Sequence, residues 1–329
     1  MRFLGYADSG GVPNIVVDGS PNESTVLTLT HWPGYLQPAG FEFDLSAEMA
    51  FHFLDAPVDP PPADIVTNNH FDQDGLVSVH ALVDPDLSLR HRDVLIDVAA
   101  AGDFSTYRDR RAARASMAIA AYADEDRSPI AARLTGPYDR QCEVLYEETL
   151  PLLVPMIVDL DRFRDLWAEE DESLTVSEGL IERGVVRIDE IADVDLAVIT
   201  VPENEGPHAG HRFAHETFGT LHPMALHNAT GCFRLLVLHG RDYQFVDRYE
   251  TWVQYRSRRP LPRVDMRPLA EWLTDRESGA ASWSAAAPGS LTPTMQVDGE
   301  SSLDQQTVRD LVVAHLRQSA AAWDPYAAV

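Results

Sequence analysis

Short apolar runs alternate with amphipathic stretches through the N-terminal third of the chain. Runs of aliphatic and β-branched residues predict strands, and apolar residues spaced three or four apart predict helices. This pattern predicts strands at residues 14–17, 26–30, 64–67 and 93–98, and helices at residues 45–54, 76–82 and 108–123. The alternation predicts an α/β fold with a mainly parallel sheet flanked by helices.

The rest of the chain predicts a helical stretch followed by a second, smaller α/β portion. Residues 138–182 have helical spacing with an interruption at 152–155, and apolar runs follow at 185–188, 196–201, 233–238 and 249–255. Two helices are predicted near 269–273 and 308–317, and residues 275–299 predict loop with at most one strand. We therefore divide the chain into an α/β domain at 1–135, a helical connector at 136–190 and a C-terminal α/β domain at 191–329. One continuous domain is the alternative.

The charge of the chain is strongly acidic. Of 329 residues, 52 are Asp or Glu and 26 are Lys or Arg, which gives a net charge of −26. Such a surface repels nucleic-acid backbones and anionic membranes, so neither is an expected partner. No apolar stretch approaches the roughly 20 residues of a membrane span, and the start of the chain lacks the apolar core of a signal peptide. We expect a cytoplasmic protein.

Missing residue types and motifs exclude several chemistries. The chain contains no lysine, which excludes Schiff-base, P-loop and kinase-type lysine mechanisms. The two cysteines, Cys142 and Cys232, are far apart in sequence, so a structural disulfide or a thiolate zinc site is not expected. Gly-x-Ser-x-Gly, Gly-x-Gly-x-x-Gly and His-Glu-x-x-His motifs are absent.

An acidic loop gives the clearest chemical signal in the sequence. Residues 64–78 read DIVTNNHFDQDGLVS, which places His70, Asp72 and Asp74 just after a predicted strand. The next predicted strand, in DVLIDVAAAGDF, places Asp97 in an apolar run and Asp103 after a small-residue turn. Imidazole and carboxylate groups are standard ligands of manganese, zinc and iron. Since carboxyl ends of neighbouring parallel strands meet at one edge, we predict a metal site there.

The alternative interpretation of this loop is structural. Asp-x-Asp-Gly is a common turn composition, and His70 can end a strand without binding a ligand. A buried carboxylate such as Asp97 is costly unless it is paired or metal-bound, which favours the metal site.

The stretch NHFDQDG resembles the first motif of the DHH phosphoesterase superfamily, His-x-Asp-x-Asp-(Gly/Ala). The resemblance implies two manganese ions, with His70 and Asp72 on one ion and Asp74 on the other. It also implies a bridging aspartate from a later strand end, for which Asp97 and Asp103 are the candidates. The Asp-His-His triplet of that superfamily is absent, which favours a non-catalytic binding protein as the alternative.

The chain as a whole resembles an uncharacterised bacterial family of unknown function. The segments VTNNHFDQDGL, AGDFSTYRDRRAARAS and YETWVQYRSRR carry this resemblance. A weaker resemblance, to haloacid-dehalogenase-type phosphatases, rests on Asp-x-Asp-Gly after a strand. Three polar residues intervene here, and the catalytic lysine of those phosphatases is absent.

Further candidate residues come from histidines and a neighbouring amide. Residues 207–227 hold five of the twelve histidines, and His211 and His215 would share one face of a helix. A polar surface loop is the alternative for that segment. His31 ends the run VLTLTH and is a strand-end candidate, with a hydrogen-bonded core or edge histidine as the alternative. Asn69 is a candidate beside His70.

Arginine is concentrated in two places. Arg108 and Arg111 follow Asp103 at helical spacing, and Arg258 and Arg259 lie in the segment YRSRRPLPR. Guanidinium groups match phosphate bidentately, so these residues predict an anion pocket. Salt bridges to the abundant acids are the alternative. Aromatic residues at 249, 252 and 255 suggest base stacking, with strand packing as the alternative.

Together these features predict metal-dependent hydrolysis of a phosphate ester or anhydride. His70, Asp72, Asp74, Asp97 and Asp103 would hold the ions, with manganese preferred to zinc or iron. Asp74, Arg108 and Arg111 are the predicted catalytic residues, the arginines neutralising developing charge. We expect a small phosphorylated substrate, and a homodimer is left open.

Overall fold

A computed structural model gives the structure of the chain and describes residues 1–55, 63–203 and 221–327. The chain forms two compact units. The first unit contains Met1–Asp171 and Tyr255–Ser257, and the second contains Glu172–Gln254 and Arg258–Val329. Residues 136–171, which the sequence places in a helical connector, belong to the first unit.

A small parallel sheet lies at the centre of the first unit. Its strands are β1 (Arg2–Phe3), β2 (Asn14–Val17), β3 (Thr25–Leu29) and β4 (Ile65–Thr67). They are ordered β1-β4-β2-β3, and every neighbouring pair is parallel. All residues of β2 and β4 are buried, as expected for parallel strands covered on both faces. The carboxyl ends of β2, β3 and β4 therefore meet at one edge.

In the described residues up to 182 the chain forms nine α-helices, and the first three of them pack against this sheet. The nine helices are α1 (Tyr6–Ser9), α2 (Ser46–Asp55), α3 (Gln73–Val83), α4 (Pro85–Arg90), α5 (Arg92–Asp103), α6 (Arg110–Ala123), α7 (Tyr138–Thr149), α8 (Pro155–Val158) and α9 (Arg164–Glu182). Single 3-10 turns lie at Ala131–Arg133, Leu150–Leu152 and Leu160–Phe163. α3 packs against α2 and α5, which places the carboxyl end of α5 near the start of α3. No helix in the described part of the chain is long and apolar enough to cross a membrane.

The predicted α/β fold is confirmed, with one wrong element in the first unit. Strands are present within or beside 14–17, 26–30 and 64–67, and helices overlap 45–54, 76–82 and 108–123. Residues 93–98, predicted as a buried strand, lie in α5. A short apolar run cannot by itself distinguish a buried strand from a buried helix. Here the three alanines that follow favour the helix, and Leu95, Val98 and Ala99 form its buried side.

The second unit contains a six-stranded mixed sheet. Its strands are β5 (Arg187–Ile191), β6 (Leu196–Val201), β7 (Arg234–His239), β8 (Asp242–Asp247), β10 (Ser282–Ala285) and β11 (Thr294–Asp298). β9 (Arg263–Val264) and β12 (Ala321–Trp323) form a separate antiparallel pair. The large sheet is ordered β10-β11-β8-β7-β6-β5, and only its β6–β7 pair is parallel.

Each face of the large sheet is covered by helices. Leu196, Val198 and Leu236 face α11 (Arg267–Thr274) and α12 (Gln305–Gln318). The alternate strand residues pack with α10 (Pro223–Ala229) and the end of α9. The apolar run at 249–255 is not a strand, because it begins with a 3-10 turn at Tyr249–Thr251. Residues 275–299 contain two strands rather than at most one.

Arg263 is the largest of the fully buried side chains that the structure describes. Its guanidinium donates to Thr251 Oγ1 at 2.6 Å and to the carbonyls of Pro288, Ser290 and Leu291 at 2.5–2.8 Å. Burial lowers the pKa of Arg263 to about 10. This arginine therefore holds the loop before β11 and is not available to an external anion.

We predict that Arg263→Lys lowers the free energy of unfolding by about 2–4 kcal/mol, because an ammonium group cannot reproduce this planar set of hydrogen bonds. Arg267→Lys is the matched control, since Arg267 is exposed and pairs with Asp265, and its effect should stay within about 0.5 kcal/mol. Urea unfolding followed by circular dichroism measures both. Equal stability of the two variants would contradict the structural role of Arg263.

Candidate metal centre

The carboxyl edge of the parallel sheet brings acidic and imidazole side chains together. Asp18 directly follows β2, and His31 lies two residues after β3. The segment after β4 supplies His70, Asp72 and Asp74, and α5 ends at Asp103. Asp18 has a left-handed backbone with φ of 47°. Such a conformation costs free energy in a residue other than glycine, and strained backbone of this kind clusters at functional sites.

These side chains form two groups that share Asp18. The deeper group contains Asp18, His31, Asp74 and Asp103, and the outer group contains Asp18, His70 and Asp72. Within each group, one oxygen or nitrogen atom of every residue lies within 4.8 Å of those of the others.

His31 is the imidazole of the deeper group. Its Nε2 lies 3.5 Å from Asp18 Oδ1 and 3.4 Å from Asp103 Oδ2. Its Nδ1 lies 2.6 Å from the carbonyl oxygen of Asp44. Since a carbonyl only accepts, Nδ1 donates, and Nε2 faces the two carboxylates. Metal-binding histidines are usually held in this way.

The outer group is partly open to solvent. His70 Nε2 lies 2.7 Å from Asp72 Oδ2 and 3.3 Å from Asp18 Oδ2. The side chains of His70 and Asp72 are 17% and 29% exposed, whereas Asp18 is 1% exposed. The ring of Trp32 lies 5.0 Å from the ring of His70. A ligand would therefore approach the site from the side of His70 and Asp72.

The start of α2 fixes the two most buried carboxylates. The amides of Ser46 and Ala47 donate to the two oxygens of Asp74 at 2.8 and 2.7 Å. The hydroxyl of Ser46 donates to Asp18 Oδ1 at 2.8 Å. The positive end of the α2 dipole thus faces the acidic cluster and stabilises it.

Asp72 has a structural role as well, because it is the N-cap of α3. Its Oδ1 accepts from the amide of Gly75 at 2.8 Å. A Cβ atom on Gly75 would lie 2.4 Å from Asn68 Nδ2 and 2.6 Å from the Tyr146 hydroxyl. The glycine in NHFDQDG is therefore required by close packing behind the site.

The charges of the cluster perturb one another. Burial, reinforced by the charge of Asp72, raises the pKa of Asp18. Burial and the charges of Asp18 and Asp72 raise the pKa of Asp74 well above its usual range. Burial alone would lower the pKa of His70, but Asp72 and Asp18 outweigh it and raise that pKa well above its usual range. Burial alone would raise the pKa of Asp72, but His70 and the Gly75 amide outweigh it and lower that pKa to about 2.

The donor set suits a divalent metal ion. Four carboxylates and two imidazoles match the ligand preferences of manganese, zinc and iron. In the described ranges, no arginine forms an ion pair with Asp18, Asp72 or Asp74. Asp18 Oδ2 is buried and accepts no hydrogen bond there, although His70 Nε2 is nearby. Buried carboxylates without compensating charge are costly, and two divalent ions would supply that charge.

Among the predicted metal ligands, Asp97 is outside both groups. Its carboxylate accepts from the amides of Arg108 and Asp109 at 2.7–3.0 Å. Because residues 93–98 form part of a helix and not a strand, Asp97 lies more than one helical turn before the end of α5. Asp103, at that end, reaches the deeper group. Asp97 instead fixes the loop after Asp103.

Arg108 and Arg111, predicted for an anion pocket, each pair with an aspartate outside the two groups. The side chain of Arg108 is 86% exposed, with Nε 3.9 Å from Asp97 Oδ1. The guanidinium of Arg111 donates two hydrogen bonds to Asp109 Oδ2, at 2.9 and 2.5 Å. Asn69 does not belong to either group, and its Oδ1 accepts from the amide of Ser20 at 2.9 Å, which links the loops after β2 and β4.

The remaining candidates lie in the second unit or outside the described residues. Arg258 pairs with Asp195 at 2.9 Å and stacks on Phe233. Arg259 pairs with Asp324 at 3.1 Å. His211 and His215 lie outside the described residues.

Asp18 and Ser46 are the residues of the cluster that the sequence did not single out. A signal for Asp18 exists in NIVVDGS, where a carboxylate directly follows an apolar strand. The Asp-Gly pair also fits an ordinary turn, and only strand order β4-β2-β3 shows that this loop lies between those of His70 and His31. Ser46 has no sequence signal, because it acts through the amide and hydroxyl at a helix start.

We predict that Asp72→Asn lowers the pKa of His70 in metal-free protein, because the largest favourable charge on the imidazolium is removed. The ion pair of His70 and Asp72 stabilises the folded protein at pH values above the usual pKa of aspartate. This stabilisation is lost as the pH rises through the raised pKa of His70, because the imidazole then loses its charge. Nuclear magnetic resonance titration of the histidine rings measures the shift, with the other histidines as internal controls. An unchanged His70 pKa would contradict this electrostatic coupling.

Comparison with known proteins gives a family and no activity. No curated protein and no solved structure matches the chain. Residues 1–327 match a family of unknown function, DUF6687. The match covers both units, and it agrees with the resemblance that the whole sequence carries to an uncharacterised family. The chain belongs to this family of unknown function.

Proposed function

We propose that the protein is a metal-dependent hydrolase of a phosphate ester or anhydride. The observation that supports this proposal is the meeting of two groups of donors at one shared carboxylate, Asp18. A carboxylate shared by two donor sets would let two ions sit close enough to act on one phosphoryl group.

The division of the acidic loop between the groups also supports the proposal. His70 and Asp72 belong to the outer group, and Asp74 belongs to the deeper group. The DHH resemblance implies the same division, with a bridging aspartate between the two ions. Asp18 takes the bridging position here in place of Asp97 or Asp103. His31 provides an imidazole to the deeper group even though the Asp-His-His triplet is absent.

In this proposal the residues have distinct tasks. Asp18, His31, Asp74 and Asp103 hold one divalent ion, and Asp18, His70 and Asp72 hold the other, with manganese preferred. When bound, such a pair of ions supplies Lewis acidity towards phosphoryl oxygens and lowers the pKa of bound water. His70 gives up its proton to act as a ligand, which makes metal binding stronger as pH rises.

The exposed side of the outer group orients the substrate. His70 and Asp72 are the donors with solvent access, so a phosphoryl group approaches across them. Arg108 is the better of the two predicted arginines for neutralising developing charge, because its side chain is largely exposed and only distantly paired. Arg111 would first have to leave Asp109. A small phosphorylated substrate in the cytoplasm fits this arrangement and the acidic surface, which disfavours nucleic acid.

The second candidate function is a non-catalytic binding protein that retains the architecture. Two sets of contacts favour this second function. Both oxygens of Asp74 accept hydrogen bonds from backbone amides, and His70 pairs directly with Asp72. A cluster stabilised in this way persists without an ion, provided that its carboxylates take up protons. The metal content of the protein distinguishes the two candidates.

We predict that protein purified without added metal or an affinity tag, then reconstituted with Mn²⁺, holds about two equivalents. Asp18→Asn should lose both equivalents and reduce kcat/KM by at least roughly 10²–10³-fold, because it removes the shared ligand. Asp93→Asn, an exposed carboxylate on α5, is the matched control. Elemental mass spectrometry and hydrolysis of p-nitrophenyl phosphate, its bis-ester and pyrophosphate are the measurements. Native metal content and turnover in Asp18→Asn would contradict the proposal.

We predict that single substitutions in the deeper or the outer group each remove one of the two bound metal ions. Asp103→Asn should reduce the bound Mn²⁺ from about two equivalents to about one by affecting the deeper group, and His70→Ala should do so by affecting the outer group. The double variant should then hold none. Retention of about two equivalents in either single variant would show that the two groups are not separate sites.

A further inference from the structure

The orientation of His31 depends on the loop that precedes α2. Nδ1 of His31 donates to the carbonyl oxygen of Asp44, only 2.6 Å away. This bond turns Nε2 towards Asp18 and Asp103. Any movement of the Asp44 backbone would therefore rotate or withdraw the imidazole of the deeper group.

Asp44 is itself held by a segment from much later in the chain. The amides of Arg256 and Ser257 donate to Asp44 Oδ1 at 2.5 and 2.8 Å, across a separation of 212 residues for the first bond. The Ser257 hydroxyl donates to Asp44 Oδ2. The guanidinium of Arg256 also donates twice to Gln37 Oε1, at 3.1 and 2.8 Å. Both oxygens of the Asp44 carboxylate are thus engaged by this segment.

The same segment also contacts the residue next to Asp103, through a pair of aromatic rings. Tyr255 packs edge-on against Phe104, with ring centroids 5.2 Å apart. Phe104 follows Asp103 directly, is 4% exposed, and lies 6.2 Å from the ring of His31. Tyr255 therefore supports the end of α5, where Asp103 is located.

We propose that Tyr255–Ser257 is a positioning clamp for the deeper group of the metal centre. It acts on His31 through Asp44 and on Asp103 through Phe104. This inference rests on the proposed function, because it assigns the clamp residues a role in metal binding. These residues position ligands and do not touch the substrate.

The expected change in metal affinity follows from the general role of residues that orient metal ligands. Partners that orient a metal ligand typically change metal affinity by roughly 10–100-fold when they are removed. Functional groups must be held within about 0.5 Å of their productive geometry, and a loop alone rarely does so. Because His31 and Asp103 belong only to the deeper group, loss of the clamp should weaken one of the two ions selectively.

The test uses the full chain and three variants of the loop before α2. Asp44→Ala removes the acceptor of the clamp, and Asp44→Asn keeps an oxygen acceptor and should restore most of the wild-type behaviour. Glu42→Ala removes an exposed carboxylate from the same loop and is the matched control. Ser257→Ala removes one hydrogen bond of the clamp and should have an intermediate effect. It also tests the inference if Asp44→Ala fails to fold.

Two measurements separate the clamp from the proposed function. In metal-free protein, nitrogen-15 resonance spectroscopy gives the solvent-exchange lifetime of the His31 Nδ1 proton. In metal-stripped protein, calorimetric titration with Mn²⁺ alone gives the two affinities. We expect Asp44→Ala to shorten the proton lifetime and to weaken one Mn²⁺ affinity by roughly 10–100-fold, with Glu42→Ala unchanged.

An unchanged His31 proton lifetime in Asp44→Ala would overturn the clamp, whatever the metal data show. A shortened lifetime with both Mn²⁺ affinities unchanged would also overturn it, since orientation of His31 would then not matter to the ions. If wild-type protein binds no Mn²⁺, the proposed function fails and the inferred role in metal binding fails with it. A shortened lifetime in that case would leave Asp44 as a structural support only.

Discussion

The need to neutralise buried carboxylates at the edge of a small parallel sheet dominates the structure of the first unit. Among the described residues, Asp18, Asp72, Asp74 and Asp103 lie close together with two imidazoles beside them. Each carboxylate would be unstable in this setting without hydrogen bonds or cations. Asp18 is the critical member, because it is almost fully buried and belongs to both groups.

Several elements of the surrounding fold stabilise these carboxylates or hold the imidazoles beside them. The start of α2 directs two amides and a hydroxyl to the cluster, α3 is capped by Asp72, and the loop before α2 holds His31. Hydrogen bonds satisfy part of the charge, and burial raises the pKa values of Asp18 and Asp74. Two divalent ions would satisfy the remainder, and this is the physical basis for the hydrolase proposal.

The sequence predicts the fold class and the part of the site that is local in sequence. His70, Asp72 and Asp74 are recognisable because they lie within one turn that follows a strand. Asp18 was missed because strand order cannot be obtained from a single short run of apolar residues. The sequence predicts Asp97 on a strand, whereas the structure places it in α5, because a short apolar run fits a helix as well as a strand. The contact of Asp44 with residues 256 and 257 has no local signal at all.

The measurement that tests the account most directly is anomalous diffraction from crystals of the full chain grown with Mn²⁺. We predict two peaks, one bounded by His31, Asp74 and Asp103 and the other by His70 and Asp72, with the Asp18 carboxylate between them. The contrary result is no ordered Mn²⁺ at Asp18 under saturating metal, with the cluster held only by protein hydrogen bonds. That result would make the cluster structural and would leave the hydrolase proposal without its basis.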